Sequence, residues 1–211
     1  MNLNQARKLI VKTGRLLYEK GFIAGYDGNL SIRLNKKNIL ITPSMRAKGF
    51  LKESELVRID YDGNKLSAGG KPSSEMSMHL VVYRNRPEVN ACCHAHPPYA
   101  TAFAAAGKKL PENILPEVVI MAGKIPLVEY IPTGLPAKWK KFRKYISGHN
   151  AFLLANHGVL TLGRTIEEAY FRMETVEHFA RITYIAQNMD KLNPLDSDEV
   201  RRLEKIRDKL R

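Results

Sequence analysis

The segment "VNACCHAHPPYATAFAAAG" fixes one joint of the fold more tightly than any other stretch. Residues up to His96 read as a β-strand, and Pro97 and Pro98 stop it, because proline lacks the N–H that a sheet ladder needs. The small residues that follow read as a short helix capped by Gly107. A strand feeding directly into a helix makes this a mixed α/β chain. The surroundings extend that pattern. Residues 3 to 20 carry Leu3, Ala6, Ile10 and Leu17 at helical spacing, ended by Gly21. "NLSIRL", "NILITP" and "LVRID" read as short strands, with a hairpin-type turn at Asp62-Gly63.

A helix is expected from about Ser74 to Asn85, with Pro72 ahead of it, Ser73 and Ser74 as capping types and Pro87 closing it. "KIPLVEYI" and "AFLLAN" read as strands around a basic helix, "KWKKFRKY". "TIEEAYFRMETVEHFARITYIAQNM" reads as a long amphipathic helix, and a charged helical tail is expected from about residue 195. Strands and helices do not alternate regularly, which favours helices layered on a mainly antiparallel sheet. At 211 residues, with no repeat and no linker, a single domain over 1–211 is the expectation.

Bulk properties narrow the function classes. No apolar run reaches a membrane span and no cleavable leader pattern opens the chain, so a soluble, cytoplasmic protein is expected. The two cysteines, Cys92 and Cys93, are adjacent, which makes a disulfide between them geometrically poor. The net charge of +13 raises the question of nucleic acid. The basic residues are spread out, however, and the densest group, at 138–145, interleaves Trp139 and Phe142 at helical spacing. It reads as a solvated basic face and not as a nucleic-acid site. An anionic small-molecule substrate would also gain from the positive field.

The chemistry is carried by histidines. On a strand, residues two apart project from the same face, so His94 and His96 can converge on one ion. His157 follows an apolar run and precedes Gly158, where a turning backbone can aim a side chain into a cleft. Glu75 lies in the first turn of the expected helix. Three histidines with an open fourth position make a catalytic zinc arrangement, with a carboxylate available as ligand, base or both. Cys92 shares the strand parity of the pair but reads as a buried, unreactive thiol. His79 reads as supporting or core, His178 as structural, and His149 as a solvent-exposed loop residue. Three polar turns, "DGN" at 27–29, "TPSM" at 42–45 and Ser73-Ser74, could cradle a phosphate together.

"GNLSIR", "ITPS", "KPSSE", "HAHPPYAT" and "NHGVLTLG" stand in the order and at the spacing of a known family. From about residue 5 to 190 the chain resembles the class II sugar-phosphate aldolases related to L-fuculose-1-phosphate aldolase. That superfamily also holds L-ribulose-5-phosphate 4-epimerase and the adducin head domain. The resemblance implies a three-layer α/β/α fold with a mainly antiparallel central sheet, and a homotetramer with sites near subunit boundaries. It implies one zinc ion per chain held by His94, His96 and His157, with Glu75 as proton-transfer group and as a ligand when the site is empty. It implies a phosphate pocket from Gly28, Asn29, Ser44, Met45, Ser73 and Ser74.

Two positions depart from the family. Met45 stands where the fuculose enzyme has glycine, and Leu115 where it has a proton-donating tyrosine from a neighbouring subunit. Tyr130, Tyr26 or a water are the alternative donors. The activity implied is reversible cleavage of a ketose 1-phosphate to dihydroxyacetone phosphate and an aldehyde. Epimerase, dehydratase or decarboxylase chemistry on the same metal is the alternative, and a non-catalytic, adducin-like interaction module is the remote one.

Overall fold

A computed structural model describes residues 1–68 and 70–209; Gly69 and the last two residues of the expected tail lie outside it. Seven strands form one sheet in the order β3-β2-β1-β4-β7-β6-β5. They are β1 (Asn29–Arg33), β2 (Ile39–Ile41), β3 (Val57–Ile59), β4 (Ala91–Ala95), β5 (Leu127–Val128), β6 (Ala151–Leu154) and β7 (Gly158–Gly163). Every neighbouring pair is antiparallel except β5 with β6.

Alternation along the strands divides the core into two. Leu30, Ile32, Ala91 and Cys93 face one side, against α1 (Leu3–Glu19), α3 (Pro98–Ala105), α4 (Pro116–Met121) and α6 (Ile166–Gln187). Ile39, Ile41, Cys92 and Leu160 face the other, against α2 (Met76–Asn85), the 3-10 segment Pro136–Phe142 and α5 (Arg143–Ile146). The outcome is the three-layer α/β/α arrangement. Helix ends follow local chemistry: Asn2 Oδ1 accepts the Gln5 N–H at 2.9 Å to open α1, and Gly21 at φ +69° turns the chain beyond its end. The tail forms α7 (Ser197–Lys209), with Leu203 buried. Among the described residues no helix is long and apolar enough to cross a membrane.

Several expectations need correction. Helix α2 starts at Met76 and not Ser74, with Glu75 at its N-cap position and no side-chain cap. Ser73 and Ser74 form a preceding turn closed by Met76 N–H to Ser73 O at 3.1 Å. The basic segment is a 3-10 helix leading into a four-residue α-helix. Trp139 and Phe142, three apart, eclipse on one face of a 3-10 turn and are buried, while Lys138, Lys140 and Lys141 are exposed. "KIPLVEYI" pairs over two residues only, Leu127 and Val128, directly after Pro126. The Asp62-Gly63 turn forms, with Asp60 Oδ1 accepting Asp62 N–H at 2.8 Å, but its returning arm makes one isolated bridge, Ile59 to Lys65. His178 is exposed, so it packs no core; His149 is half-buried and donates from Nδ1 to Tyr145 O at 2.9 Å.

Candidate metal centre and anion cleft

Strand β4 carries His94 into the middle of the sheet's α2 side, fully buried, and ends at Ala95, so His96 sits just beyond the last ladder residue. His96 is held there by its N–H to Phe22 O at 2.9 Å. His157 arrives from the tight connection between β6 and β7, where Asn156 at φ +55° reverses the chain. Asparagine tolerates that left-handed conformation better than most residues. One ligand nitrogen from each of His94, His96 and His157 lies within 4.8 Å of the others.

The hydrogen bonds of two rings fix which nitrogen is free. His94 Nδ1 donates to Val159 O at 2.8 Å and His96 Nδ1 faces Asp27 Oδ2 at 3.3 Å. Both Nε2 atoms are therefore turned inward, and they stand 3.2 Å apart. Two nitrogen lone pairs facing each other so closely fit a shared cation, and outward N–H groups bonded to a carbonyl and a carboxylate are the usual support of metal-binding histidines. Burial pushes the His96 ring down to about 4, the neighbouring His94 and His157 adding to the effect, which favours the neutral form.

Glu75 completes the cluster. Its Oε1 lies 2.8 Å from His157 Nε2 and its Oε2 lies 3.4 Å from His94 Nε2. Oε1 is buried and has no aligned hydrogen-bond donor. Burial pushes the carboxyl up, but His94 and His157 outweigh it and hold it well below the usual carboxylate range. Glu75 is thus anionic at neutral pH. Asn29 Nδ2 donates to Glu75 Oε2 at 2.6 Å, and Asn29 Oδ1 accepts from His79 Nε2 at 2.5 Å. Ser31 Oγ donates to His79 Nδ1 at 2.6 Å. His79 is outside the cluster and acts on it through Asn29. Three imidazoles and a carboxylate with one orphaned buried oxygen are a donor set that could hold a metal ion.

The cluster opens into a cleft of about 220 Å³ lined by all three polar turns. An isolated bridge between Pro43 and Pro72 lays the 42–45 turn beside Ser73 and Ser74. The same pairing engages two backbone donors: Ser44 N–H meets Lys71 O at 2.9 Å and Ser73 N–H meets Thr42 O at 3.1 Å. These serines therefore offer hydroxyls to a ligand. Met45 adopts φ +54°, keeping a glycine-like turn, with its side chain 70% exposed. Gly28, at φ +69°, is required where it stands, because a Cβ would lie 2.8 Å from His94 O.

Tyr26 lines the cleft, whereas Leu115 packs against the opposite core and Tyr130 lies outside the lining. Lys48 and Thr133 also line it and escaped the reading of the sequence. A lone lysine between Ala47 and Gly49 carries no periodic signal, and lysines are ordinarily solvated. A larger groove of about 720 Å³ between α3 and α6 has no histidine or carboxylate in its lining.

Residues 8–184 match the family described as Class II Aldolase and Adducin N-terminal domain. The chain belongs to this family. It is an enzyme of a family of metal-dependent lyases, and its histidine group could bind the metal. An L-fuculose phosphate aldolase of Methanococcus maripaludis is 40% identical over 189 residues, which cover 90% of this chain and 99% of that protein. A 3-oxo-tetronate 4-phosphate decarboxylase of Haemophilus influenzae is 35% identical over 202 residues, 94% of this chain and 95% of that one. The solved structure of YgbL from Escherichia coli, a candidate aldolase/epimerase/decarboxylase, superposes with a TM-score of 0.89 at 30% identity, covering 96% and 99% of the two chains.

Proposed function

We propose that this chain is a zinc-dependent sugar-phosphate aldolase that reversibly cleaves a ketose 1-phosphate to dihydroxyacetone phosphate and an aldehyde. The observation that carries the reading is the meeting of His94, His96, His157 and Glu75 at the wall of a cleft lined by three polar turns. A tetrahedral ion with Zn–N near ~2.05 Å separates its ligand nitrogens by ~3.3 Å. The two facing Nε2 atoms stand at 3.2 Å. When bound, zinc supplies Lewis-acid polarisation of a substrate carbonyl, which makes the neighbouring C–H or C–C bond easier to break.

The remaining work falls to side chains of this chain. Glu75, anionic and hydrogen-bonded through Oε2 to Asn29, keeps Oε1 for the proton. In synthesis it takes that proton from the carbon beside the carbonyl, and in cleavage it returns it. The Asn29 bond prevents the carboxylate from rotating, so the accepting oxygen keeps one direction. Ser44, Ser73 and Ser74 present hydroxyls to the phosphate, and the Gly28 backbone leaves room for it. Tyr26, which lines the cleft, is the tyrosine to give a proton to the aldehyde oxygen in synthesis and to take it from the resulting hydroxyl in cleavage, in the absence of a tyrosine at Leu115. The reading extends to a cytoplasmic homotetramer, for which size-exclusion chromatography with light scattering is the check.

Decarboxylation of a 3-oxo acid phosphate is the second reading, favoured by the similarity to the Haemophilus influenzae decarboxylase. Both begin by stabilising negative charge beside a carbonyl, so the products must decide. Dihydroxyacetone phosphate offered with a panel of aldehydes should give a new ketose phosphate by mass and NMR. Release of carbon dioxide from 3-oxo-tetronate 4-phosphate, with no aldol product from any aldehyde, would replace the first reading by the second.

Zinc itself is tested by elemental analysis, which should find about one ion per chain. His94→Ala, His96→Ala and His157→Ala should each lower zinc content, while His79→Ala retains most of it. Full occupancy in all three histidine variants would overturn the ligand set.

A further inference from the structure

Lys48 has no part in the scheme so far, yet it is 3% exposed and lines the cleft. It stands on the 3-10 turn Lys48–Phe50, packed so closely on α1 that a Cβ on Gly14 would lie 2.5 Å from Lys48 O. Its ammonium has three protons to donate. One goes to Tyr26 O at 2.6 Å, and among the described residues no carboxylate pairs with it. Burial pushes its pKa down, while the charges of Asp27 and Glu75 hold it up. A buried cation with donors left over is unfavourable unless an anion meets it.

The cleft supplies a reason for an anion to come. Of its lining residues Lys48 is the one lysine or arginine, while Asp27 and Glu75 are both acidic. The backbone donors that usually receive a phosphate are partly engaged inside the protein: Ser44 N–H with Lys71 O and Ser73 N–H with Thr42 O. Asn29 Nδ2 is directed to Glu75. Hydroxyls alone would hold a dianion poorly beside two carboxylates.

We propose that Lys48 is the counter-charge for the substrate's phosphate, a binding residue that makes the cleft prefer phosphorylated over uncharged ketoses. This rests on the sugar-phosphate reading of the cleft. Lys48 reaches the ligand with the two protons that Tyr26 leaves free, beside the hydroxyls of the 42–45 turn. The Tyr26 bond aims the ammonium and ties it to the loop that carries Gly28 and Asn29.

The test separates the charge from the loop. Protein stripped of metal is titrated with inorganic phosphate by calorimetry, as wild type, Lys48→Met and Lys48→Gln. Glutamine can still donate to Tyr26 O but carries no charge, and it keeps the test alive if the methionine variant does not fold. Both variants should bind phosphate on the order of ten-fold more weakly or worse, as for loss of a charge-assisted hydrogen bond. Zinc affinity, measured separately, should stay within about two-fold of wild type. Unchanged phosphate affinity in the variants, with wild type binding, overturns the role of Lys48 and leaves the cleft's reading intact. Parallel loss of zinc and phosphate would make Lys48 a prop for the Tyr26–Asn29 loop and overturn the counter-charge. A wild type that binds no phosphate removes both the inference and the phosphate site beneath it.

Discussion

Glu75 is placed so that one substitution can part its two duties. Its Oε2 is fixed by Asn29 and its Oε1 faces His157 at 2.8 Å, so Glu75→Gln keeps shape and the Asn29 bond while removing the basic oxygen. Zinc should remain on three histidines. Loss of one carbon-bound hydrogen of dihydroxyacetone phosphate to deuterated water, followed by NMR without aldehyde, should slow on the order of 10² to 10⁴-fold, as for removal of a general base. Exchange at the wild-type rate in zinc-replete Glu75→Gln would leave Glu75 a structural group. The same scale explains what could be read from the chain. His94, His96, His157 and Glu75 are side chains whose chemistry is seldom idle when three or four converge, so spacing exposed them. Lys48 is hidden because nothing in its neighbours announces burial, and Met45, though named by the resemblance, does not announce its left-handed backbone, which glycine usually signals.

Among the elements, β4, β6 and β7 make the centre together, and their junctions are as exacting as their ligands. Gly158, the first residue of β7, has no side chain where one would collide: a Cβ there would lie 2.5 Å from His96 Cδ2 and 2.7 Å from Ala95 O. Gly158→Ala must push His96 aside or bend the end of β4. Zinc affinity should fall by about ten-fold or more, with a loss of stability of roughly 1–3 kcal/mol typical of overpacking. Zinc titration and denaturant unfolding measure the two, and wild-type values for both would refute the packing argument. Strand β7 also marks the limit of periodicity. It lies between β4 and β6, is buried at all six positions, and so lacks the alternation that revealed β1. Helix α4 opens on a proline and runs for six residues, too short for a 3.6-residue pattern to declare itself. The start of α2 was misplaced by two residues because Ser73 uses its Oγ on Glu75 N–H, at 3.2 Å, in a turn before the helix and not as its cap.

Across the whole molecule, one buried polar chain joins the α2 layer to the sheet and ends at the candidate centre. Tyr83 and His79 on α2 meet Ser31 and Asn29 on β1, and Asn29 reaches Glu75. The carbonyl oxygen of Asn29 can only accept, so His79 carries its proton on Nε2, and Nδ1 accepts from Ser31. A second proton on this ring would turn Ser31 Oγ from donor to acceptor and place a charge in a site with no exposure to water. Burial pushes the His79 ring down to about 3, with His94 adding to the shift and Glu75 opposing it. The consequence for stability has a definite sign. An unfolded histidine titrates near ~6.5, so between there and about 3 the unfolded chain holds a proton that the folded one refuses. Stability is complete above ~6.5 and falls as the pH drops, by roughly 1.4 kcal/mol per unit for this one group. His96, down to about 4, pulls the same way. His79→Gln can still donate to Asn29 Oδ1 but has nothing to protonate. Denaturant unfolding of both proteins between about pH 7.5 and 4.5 should show the variant weaker at the upper end, with a slope shallower by close to one proton. Parallel slopes would mean that the acid sensitivity lies elsewhere, and that the buried ring joining the two layers accepts its second proton without loss.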